Sequence, residues 1–221
     1  MKAIKLEIAV GDDAVSALLL RPPQARALYL FAHGAGTDMG HQLMEANAIG
    51  LAERGIATLR YNFLYTERGS KRPDQPRSAH RVVRAAAEYV QENFSELPSF
   101  AGGRSFGGRM TSQAQSERPL PQIRGLAFLG FPLHPAGKPA VHRADHLKTI
   151  DLPMIFLNGS RDALAELDLL RPTIATLGKN AALKIIDQAD HSFKVAKRSG
   201  RTQHDADDEL LDALAFWMIA N

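Results

Sequence analysis

The residues with the most evident chemistry lie in Gly103-Arg104-Ser105-Phe106-Gly107, which has the spacing Gly-x-Ser-x-Gly. In this spacing a serine can occupy a sharp turn between a strand and a helix, where the flanking residues must be very small. The apolar Phe100-Ala101 precedes the motif, and an amphipathic stretch at residues 105–117 follows it. The sequence therefore predicts Ser105 as an exposed nucleophile rather than a chance serine in a glycine-rich turn.

A nucleophilic serine needs a base and a group that orients the base. The serine hydroxyl is weak until a neighbouring base takes its proton, and among eight histidines His191 follows the last predicted strand most closely. The base in turn needs a carboxylate that fixes its tautomer and stabilises the imidazolium. Asp162, which follows the preceding predicted strand, fits this role, with Asp190 and Asp168 as alternatives. We predict Ser105 as nucleophile, His191 as proton shuttle and Asp162 as orienter.

Acyl transfer also needs hydrogen-bond donors for the oxyanion of its tetrahedral intermediate, and removing one donor costs roughly 3 kcal/mol. The backbone N–H of Phe106, directly after the nucleophile, is the first predicted donor. The second should come from the loop His33-Gly34-Ala35-Gly36, with the Ala35 N–H as first choice and the Gly34 N–H as second. We expect His33 itself to hydrogen-bond this loop rather than act as a second base.

Strands and helices must bring these residues to one edge of a sheet. Alternating apolar residues predict an N-terminal hairpin, and later apolar runs predict strands buried on both faces. A hairpin followed by repeated βα units predicts an α/β fold with a doubly wound, mostly parallel sheet and an antiparallel N-terminal edge. The predicted strands are residues 3–10, 15–20, 27–32, 56–61, 99–102, 123–129, 153–157 and 182–186, and the predicted helices are 41–54, 78–94, 105–117 and 207–220.

Length and spacing predict one domain over residues 1–221 with an open site. Only residues 130–150 separate two major strands at the place where a lid is often inserted, so no large cap domain is expected. Within that segment, residues 131–138 follow a strand end, and we expect them to line the pocket. Ligands of open parallel sheets bind beyond the carboxyl ends of the strands, where all the candidate residues fall.

The composition excludes several classes of protein. With 45% hydrophobic and 23% charged residues the chain has ordinary globular composition, and it has no cysteine for disulfides, thiolate catalysis or zinc. His134, His142 and His146 match no familiar zinc spacing, so neither a metal nor a cofactor is expected. No apolar run approaches the roughly 18 residues that span a bilayer, and the charged start resembles no signal peptide. We therefore expect a cytoplasmic protein that does not contact membranes.

The net charge of +3 is too small to predict nucleic-acid binding. Basic residues concentrate in residues 68–81 and 194–201, which both follow predicted strands and so belong on the edge of the predicted nucleophile. A positive edge could favour an anionic small-molecule substrate. The other interpretation is a merely solvated surface with acidic partners such as Glu67 and Asp74. The sequence leaves a homo-oligomer open.

Further segments extend the pattern along the chain: residues 31–39 (FAHGAGTDM), 60–63 (RYNF), 129–139 (LGFPLHPAGKP) and 146–147 (HL). With the serine motif and the His-Gly-x-Gly loop, they resemble the α/β-hydrolase superfamily. Within it they are similar to the small dienelactone-hydrolase-like branch that includes bacterial predicted hydrolases and vertebrate testis-expressed and histone-acetyltransferase-complex members. The resemblance implies the α/β-hydrolase fold and hydrolase chemistry but no substrate. Because the nucleophile is Ser105 and the chain lacks cysteine, it does not carry over lactone specificity.

The first hypothesis is therefore a serine hydrolase that acts on a small carboxylic ester through an acyl-enzyme, with thioesters or amides less favoured. The rival hypothesis is a catalytically silent α/β-hydrolase fold that serves as a binding or scaffold module. A scaffold has no physical need for a strained serine turn, which favours the enzyme. The enzyme requires Ser105 Oγ near His191, and His191 near Asp162.

Overall fold

The computed structural model describes residues 1–221, and one eight-stranded sheet forms its centre. Three short 3-10 helices, at His142–Thr149, Gly178–Asn180 and Lys197–Ser199, complete the secondary structure. The strands are β1 (Ile4–Val10), β2 (Asp13–Leu20), β3 (Ala27–Ala32), β4 (Ile56–Tyr61), β5 (Ser99–Arg104), β6 (Ile123–Leu129), β7 (Met154–Gly159) and β8 (Ala181–Ile186). The helices are α1 (Gln42–Glu53), α2 (Leu64–Glu67), α3 (Pro76–Asn93), α4 (Phe106–Glu117), α5 (Leu167–Ala175) and α6 (Gln203–Ala220).

The strand order is β1-β2-β4-β3-β5-β6-β7-β8. The hairpin β1–β2 is antiparallel and joins β4 antiparallel, whereas all pairs from β4 to β8 are parallel. This order confirms the predicted α/β, mostly parallel sheet with an antiparallel N-terminal edge. Since β3, β5, β6, β7 and β8 run in the same direction, the segments that follow them emerge at one edge.

Helices cover both faces of the sheet, which explains why every residue of β3, β4 and β7 is buried. Along β3, Leu28, Leu30 and Ala32 contribute to the core beneath α3, α4 and α5. The alternate residues Tyr29 and Phe31 contribute to the core beneath α1 and α6. Because successive side chains of a strand point to opposite faces of the sheet, β3 contributes to two separate apolar layers.

Several helix boundaries differ from the sequence prediction. Helix α3 begins at Pro76 instead of residue 78, because proline at the first helical position needs no hydrogen-bond partner for its nitrogen. Helix α6 begins at Gln203 instead of residue 207, because Thr202 and Asp205 cap it reciprocally. The short helices α2 and α5 were not predicted. Helix α2 has only four residues, which is too short to show an apolar period, and Pro172 interrupts the pattern of α5.

The connection between β6 and β7 holds only the 3-10 helix His142–Thr149, so no cap domain covers the carboxyl edge of the sheet. This agrees with the predicted lidless fold. None of the helices combines the length and the apolar character needed to cross a membrane.

Candidate active site

Ser105 occupies a tight turn between the end of β5 and the start of α4. Its backbone has φ 47° and ψ −112°, a conformation that non-glycine residues rarely adopt. Neighbouring glycines permit the turn: a Cβ on Gly103 would lie 2.3 Å from Ala32 O, and a Cβ on Gly107 would lie 2.5 Å from His33 O. The chain therefore packs against β3 too closely for a side chain at position 103 or 107.

Replacing Gly103 by alanine is expected to lower the free energy of unfolding by about 3 kcal/mol, because the new methyl group must displace the backbone of β3. Gly103 also has φ 154°, which adds backbone strain. Gly137→Ala is the matched control: it too has a positive φ, but no atom lies within 4 Å of the position of its Cβ. Urea unfolding should therefore show a clearly smaller loss for Gly137→Ala, and equal losses would contradict the steric explanation.

Three predicted residues form one hydrogen-bonded series. His191 Nε2 lies 3.0 Å from Ser105 Oγ, and His191 Nδ1 lies 2.8 Å from Asp162 Oδ2. Since a carboxylate only accepts hydrogen bonds, Nδ1 carries the proton and Nε2 presents a lone pair to the serine hydroxyl. In this arrangement the hydroxyl donates to the histidine, which donates to the carboxylate.

Asp162 is held in one position by several donors. Its side chain is fully buried, and Oδ1 accepts a hydrogen bond of 2.8 Å from the Leu164 N–H. Oδ2 accepts from Asn158 Nδ2 at 3.2 Å in addition to His191. These donors fix the carboxylate in one orientation, and the carboxylate in turn fixes the imidazole of His191. Asn158 had not been singled out, although its position at the end of β7 placed it beside this group.

The two alternative carboxylates are engaged elsewhere. Asp190 Oδ1 accepts from the backbone N–H groups of Ser192 and Lys194 at 2.8 and 3.0 Å, which closes the turn that carries His191. Asp168 lies in the first turn of α5 and lines a different groove. Neither carboxylate hydrogen-bonds to His191, so of the three candidates the structure brings Asp162 to this histidine.

Both predicted oxyanion donors lie beside Ser105. Phe106 is the first residue of α4, and helix geometry gives its N–H no partner within the helix. Ala35 lines the same cavity as Ser105, and its N–H donates no hydrogen bond to the protein. A Cβ on Gly34 would lie 3.9 Å from Ser105 Cβ, which shows how close this loop comes to the serine. The role of these amides as donors stays a prediction.

His33 is fully buried and hydrogen-bonds its surroundings, as predicted. Nδ1 lies 2.8 Å from Gly34 O, and Nε2 accepts from the Phe63 N–H at 3.3 Å. Burial lowers the pKa of His33 below its ordinary value, which favours the neutral ring. The ring thus fixes the loop that carries Ala35, and its hydrogen bonds go to residues other than Ser105.

A cavity of about 460 Å³ opens next to Ser105, and its walls differ from the sequence prediction. Residues 131–138 do not line it: Phe131, Leu133 and His134 are fully buried in the core instead. Part of the wall comes instead from Leu164 and from the segment 41–44 at the start of α1, neither of which sequence reasoning had singled out.

The three histidines considered for a metal site lie apart from one another. His134 Nε2 lies next to the carboxylate of Glu166, and His142 is exposed. His146 Nε2 lies 2.8 Å from Ser112 Oγ, which makes a second serine–histidine pair in the chain. No carboxylate hydrogen-bonds to His146, and burial lowers its pKa to about 4. This pair therefore lacks the carboxylate partner that His191 has.

The two basic segments predicted to lie at this edge contribute little to the cavity. Of residues 68–81 and 194–201, only Lys194 lines the cavity next to Ser105. Other members of these segments have partners elsewhere: Arg81 donates to Val10 O, and Arg201 pairs with Glu209. The two basic segments therefore contribute one cationic side chain to the lining of this cavity.

Sequence and structure comparisons agree with this architecture. A family model described as an alpha/beta hydrolase domain matches residues 25–219. Among solved structures, dienelactone hydrolase from Anabaena variabilis has 22% identity and a TM-score of 0.74, over 99% of this chain and 95% of that one. An α/β serine hydrolase without lid from Xanthomonas campestris has 18% identity and a TM-score of 0.74, over 98% of this chain and 95% of that one.

An esterase domain from Rhodothermus marinus is similar to the same extent, with 17% identity, a TM-score of 0.74 and coverage of 100% of this chain and 99% of that one. At these identities the structural similarity establishes the fold alone. The family match is stronger, because it extends from β3 to the end of α6 and so includes every strand that carries a site residue. The chain therefore belongs to the α/β hydrolase domain family.

Proposed function

We propose that this protein is a serine hydrolase that cleaves small carboxylic esters through an acyl-enzyme. The observation that carries the proposal is the series Ser105–His191–Asp162, with distances of 3.0 and 2.8 Å between its hydrogen-bonding atoms. Family membership and the unoccupied amides near Ser105 support it further. No cofactor enters the mechanism.

In the acylation step, Ser105 Oγ attacks the ester carbonyl carbon while His191 Nε2 takes the hydroxyl proton. The carbonyl π electrons move to the oxygen, which the Ala35 and Phe106 N–H groups stabilise. The tetrahedral intermediate collapses, and the imidazolium gives its proton to the departing alkoxide. The products of this step are the alcohol and an ester between the substrate's acyl group and Ser105.

In the deacylation step, His191 Nε2 takes a proton from water, and the resulting hydroxide adds to the acyl carbon. Collapse of this second intermediate releases the carboxylic acid and returns the proton to Ser105 Oγ. Asp162 keeps its negative charge throughout, so it stabilises the imidazolium in both steps. Thioesters and amides follow the same steps and are the less favoured substrates.

A fluorophosphonate probe tests the proposal directly, because it reacts with an activated serine and not with an ordinary hydroxyl. We expect wild-type protein to be labelled and Ser105→Ala to be unlabelled. Ser112→Ala is the matched control, since Ser112 also hydrogen-bonds to a histidine but has no carboxylate behind it. Ser112→Ala should be labelled like the wild type.

Absence of labelling in the wild type at high probe concentration would contradict the proposal. It would favour the rival function, a catalytically silent binding or scaffold module. Mass spectrometry of the labelled peptide distinguishes the two serines. An adduct on Ser112 instead of Ser105 would place the reactive site elsewhere.

A further inference from the structure

The lining of the cavity beside Ser105 includes cationic side chains but no acidic ones. Arg104 and Lys194 line it, together with polar residues such as Thr37, His41 and Gln42. No aspartate or glutamate lines the cavity. A ligand that enters it therefore meets two cationic side chains in the space where the ester must bind.

Arg104 is partly buried, yet its guanidinium has no hydrogen bond to the protein and no ion pair within 4.0 Å. It lies instead over the buried ring of Phe193, with Cζ 5.5 Å from the ring centroid. A cation–π contact of this kind holds the guanidinium without using its N–H donors. Those donors remain available to a ligand, and an arginine so placed is costly unless something pairs with it.

Nearby carboxylates moderate this charge but do not neutralise it. Burial lowers the pKa of Arg104 to about 10, and Asp190 and Asp207 act in the opposite direction. Arg104 therefore remains protonated near neutral pH. Asp190 already accepts hydrogen bonds from two backbone N–H groups, and Asp207 accepts one from Gln203 Nε2.

Lys194 belongs to the turn that carries the base. Its N–H donates to Asp190 Oδ1, and its carbonyl accepts from the Asp190 N–H, so the backbone at this position is fixed relative to His191. Its side chain is exposed and forms no ion pair with the protein. Arg104 directly precedes Ser105, and Lys194 follows His191 by three residues. Both cations therefore lie close in sequence to the residues that carry the proposed chemistry.

We propose that Arg104 and Lys194 form a subsite for an anionic group of the substrate, a carboxylate or a phosphate in the acyl or the alcohol part of the ester. This inference rests on the proposed function and adds a substrate class to it. The planar guanidinium matches the two oxygens of a carboxylate or phosphate, whereas Lys194 supplies a mobile point charge. Arg104 and Lys194 are specificity residues here, and Ser105, His191 and Asp162 perform the reaction.

Two pairs of matched esters test the substrate class. Para-nitrophenyl hemiglutarate and para-nitrophenyl pentanoate share a leaving group and acyl length, and differ by an acyl carboxylate. The acetates of glycolate and of methoxyethanol place the charge on the alcohol instead. We expect at least one anionic ester to exceed its neutral partner by about tenfold or more in kcat/KM, mostly through a lower KM. No preference in either pair overturns the proposal.

Variants connect the preference to the two residues. Two variants should each lower the ratio of anionic to neutral kcat/KM by about threefold to tenfold. They are Lys194→Gln and Arg104→Lys, and the latter keeps the positive charge but loses the forked pair of guanidinium N–H donors. Lys197→Gln is the matched control, an exposed lysine of the same segment that does not line the cavity, and it should leave the ratio unchanged. A preference that neither Arg104→Lys nor Lys194→Gln reduces would also overturn the proposal.

Binding of free glutarate separates this inference from the proposed function. Calorimetry on Ser105→Ala should detect glutarate binding that weakens in the double variants with Arg104→Lys or Lys194→Gln. If the wild type hydrolyses neutral esters but glutarate does not bind, the serine hydrolase stands and the subsite fails. If glutarate binds but no ester is cleaved and no probe reacts, the subsite stands and the hydrolase fails.

Discussion

Replacing Ser105 by alanine should reduce kcat for ester hydrolysis by about 10⁵-fold or more, because no other group can form the acyl-enzyme. The residual rate then comes from the oxyanion donors and from substrate binding alone. Alanine has the same backbone restrictions as serine, so the strained turn and the fold are retained. Steady-state kinetics on para-nitrophenyl esters measure the loss, and circular dichroism checks the fold.

The Ser112→Ala variant provides the comparison for this experiment. Ser112 lies in α4, is fully buried and hydrogen-bonds to His146, so its removal disturbs a similar side-chain pair without touching His191. We expect kcat within about twofold of the wild type, as for an ordinary buried hydroxyl whose loss affects stability only. If both variants lost activity equally, the effect of Ser105→Ala would have to be structural.

The second large effect is expected for Asp162→Asn, which should lower kcat by about 10⁴-fold while preserving the geometry of the site. An asparagine that keeps the contacts to the Leu164 N–H directs its amide NH₂ at His191 Nδ1. The histidine must then carry its proton on Nε2, where it faces Ser105 and cannot accept the hydroxyl proton. The stabilising charge beside the imidazolium is lost as well.

Asp168→Asn is the matched control, because this residue is an exposed aspartate that follows the same strand but does not contact His191. Its kcat should equal that of the wild type. A loss for Asp162→Asn that is no larger than for Asp168→Asn would exclude Asp162 as the orienting group. Fluorophosphonate labelling rates of the two variants should follow the same order as their kcat values.

The fold and the centre of the site could be predicted because their signals are local. Ser105, Asp162 and His191 each follow a short, mainly apolar strand. Each strand is followed by glycine or polar residues that mark a turn. Since parallel strands all end at one edge, residues far apart in sequence were predicted to meet there. Asp162 was preferred to Asp190 because a residue directly next to a histidine in sequence can rarely turn its carboxylate onto that imidazole. The hydrogen bond from His191 to Asp162 agrees with this choice.

The walls of the cavity could not be predicted in the same way, because they depend on how loops fold over the edge. Residues 131–138 follow a strand end, yet Phe131 and Leu133 turn into the core, where burial of their apolar side chains is favourable. Leu164 reaches the cavity instead. Arg104 was visible in the motif, but its lack of a partner is a tertiary property that no local pattern contains.

The open connection between β6 and β7 affects the timing of the proposed reaction. With no lid to move, entry of ester and departure of alcohol and acid depend on diffusion, so product release should not be gated by a conformational step. Openness also leaves the site in contact with a high-dielectric medium, in which amide dipoles and charges act more weakly on an oxyanion than in an enclosed pocket. If the protein is the proposed hydrolase, we expect such a site to give less transition-state stabilisation than an enclosed pocket but faster access for substrates of varied shape.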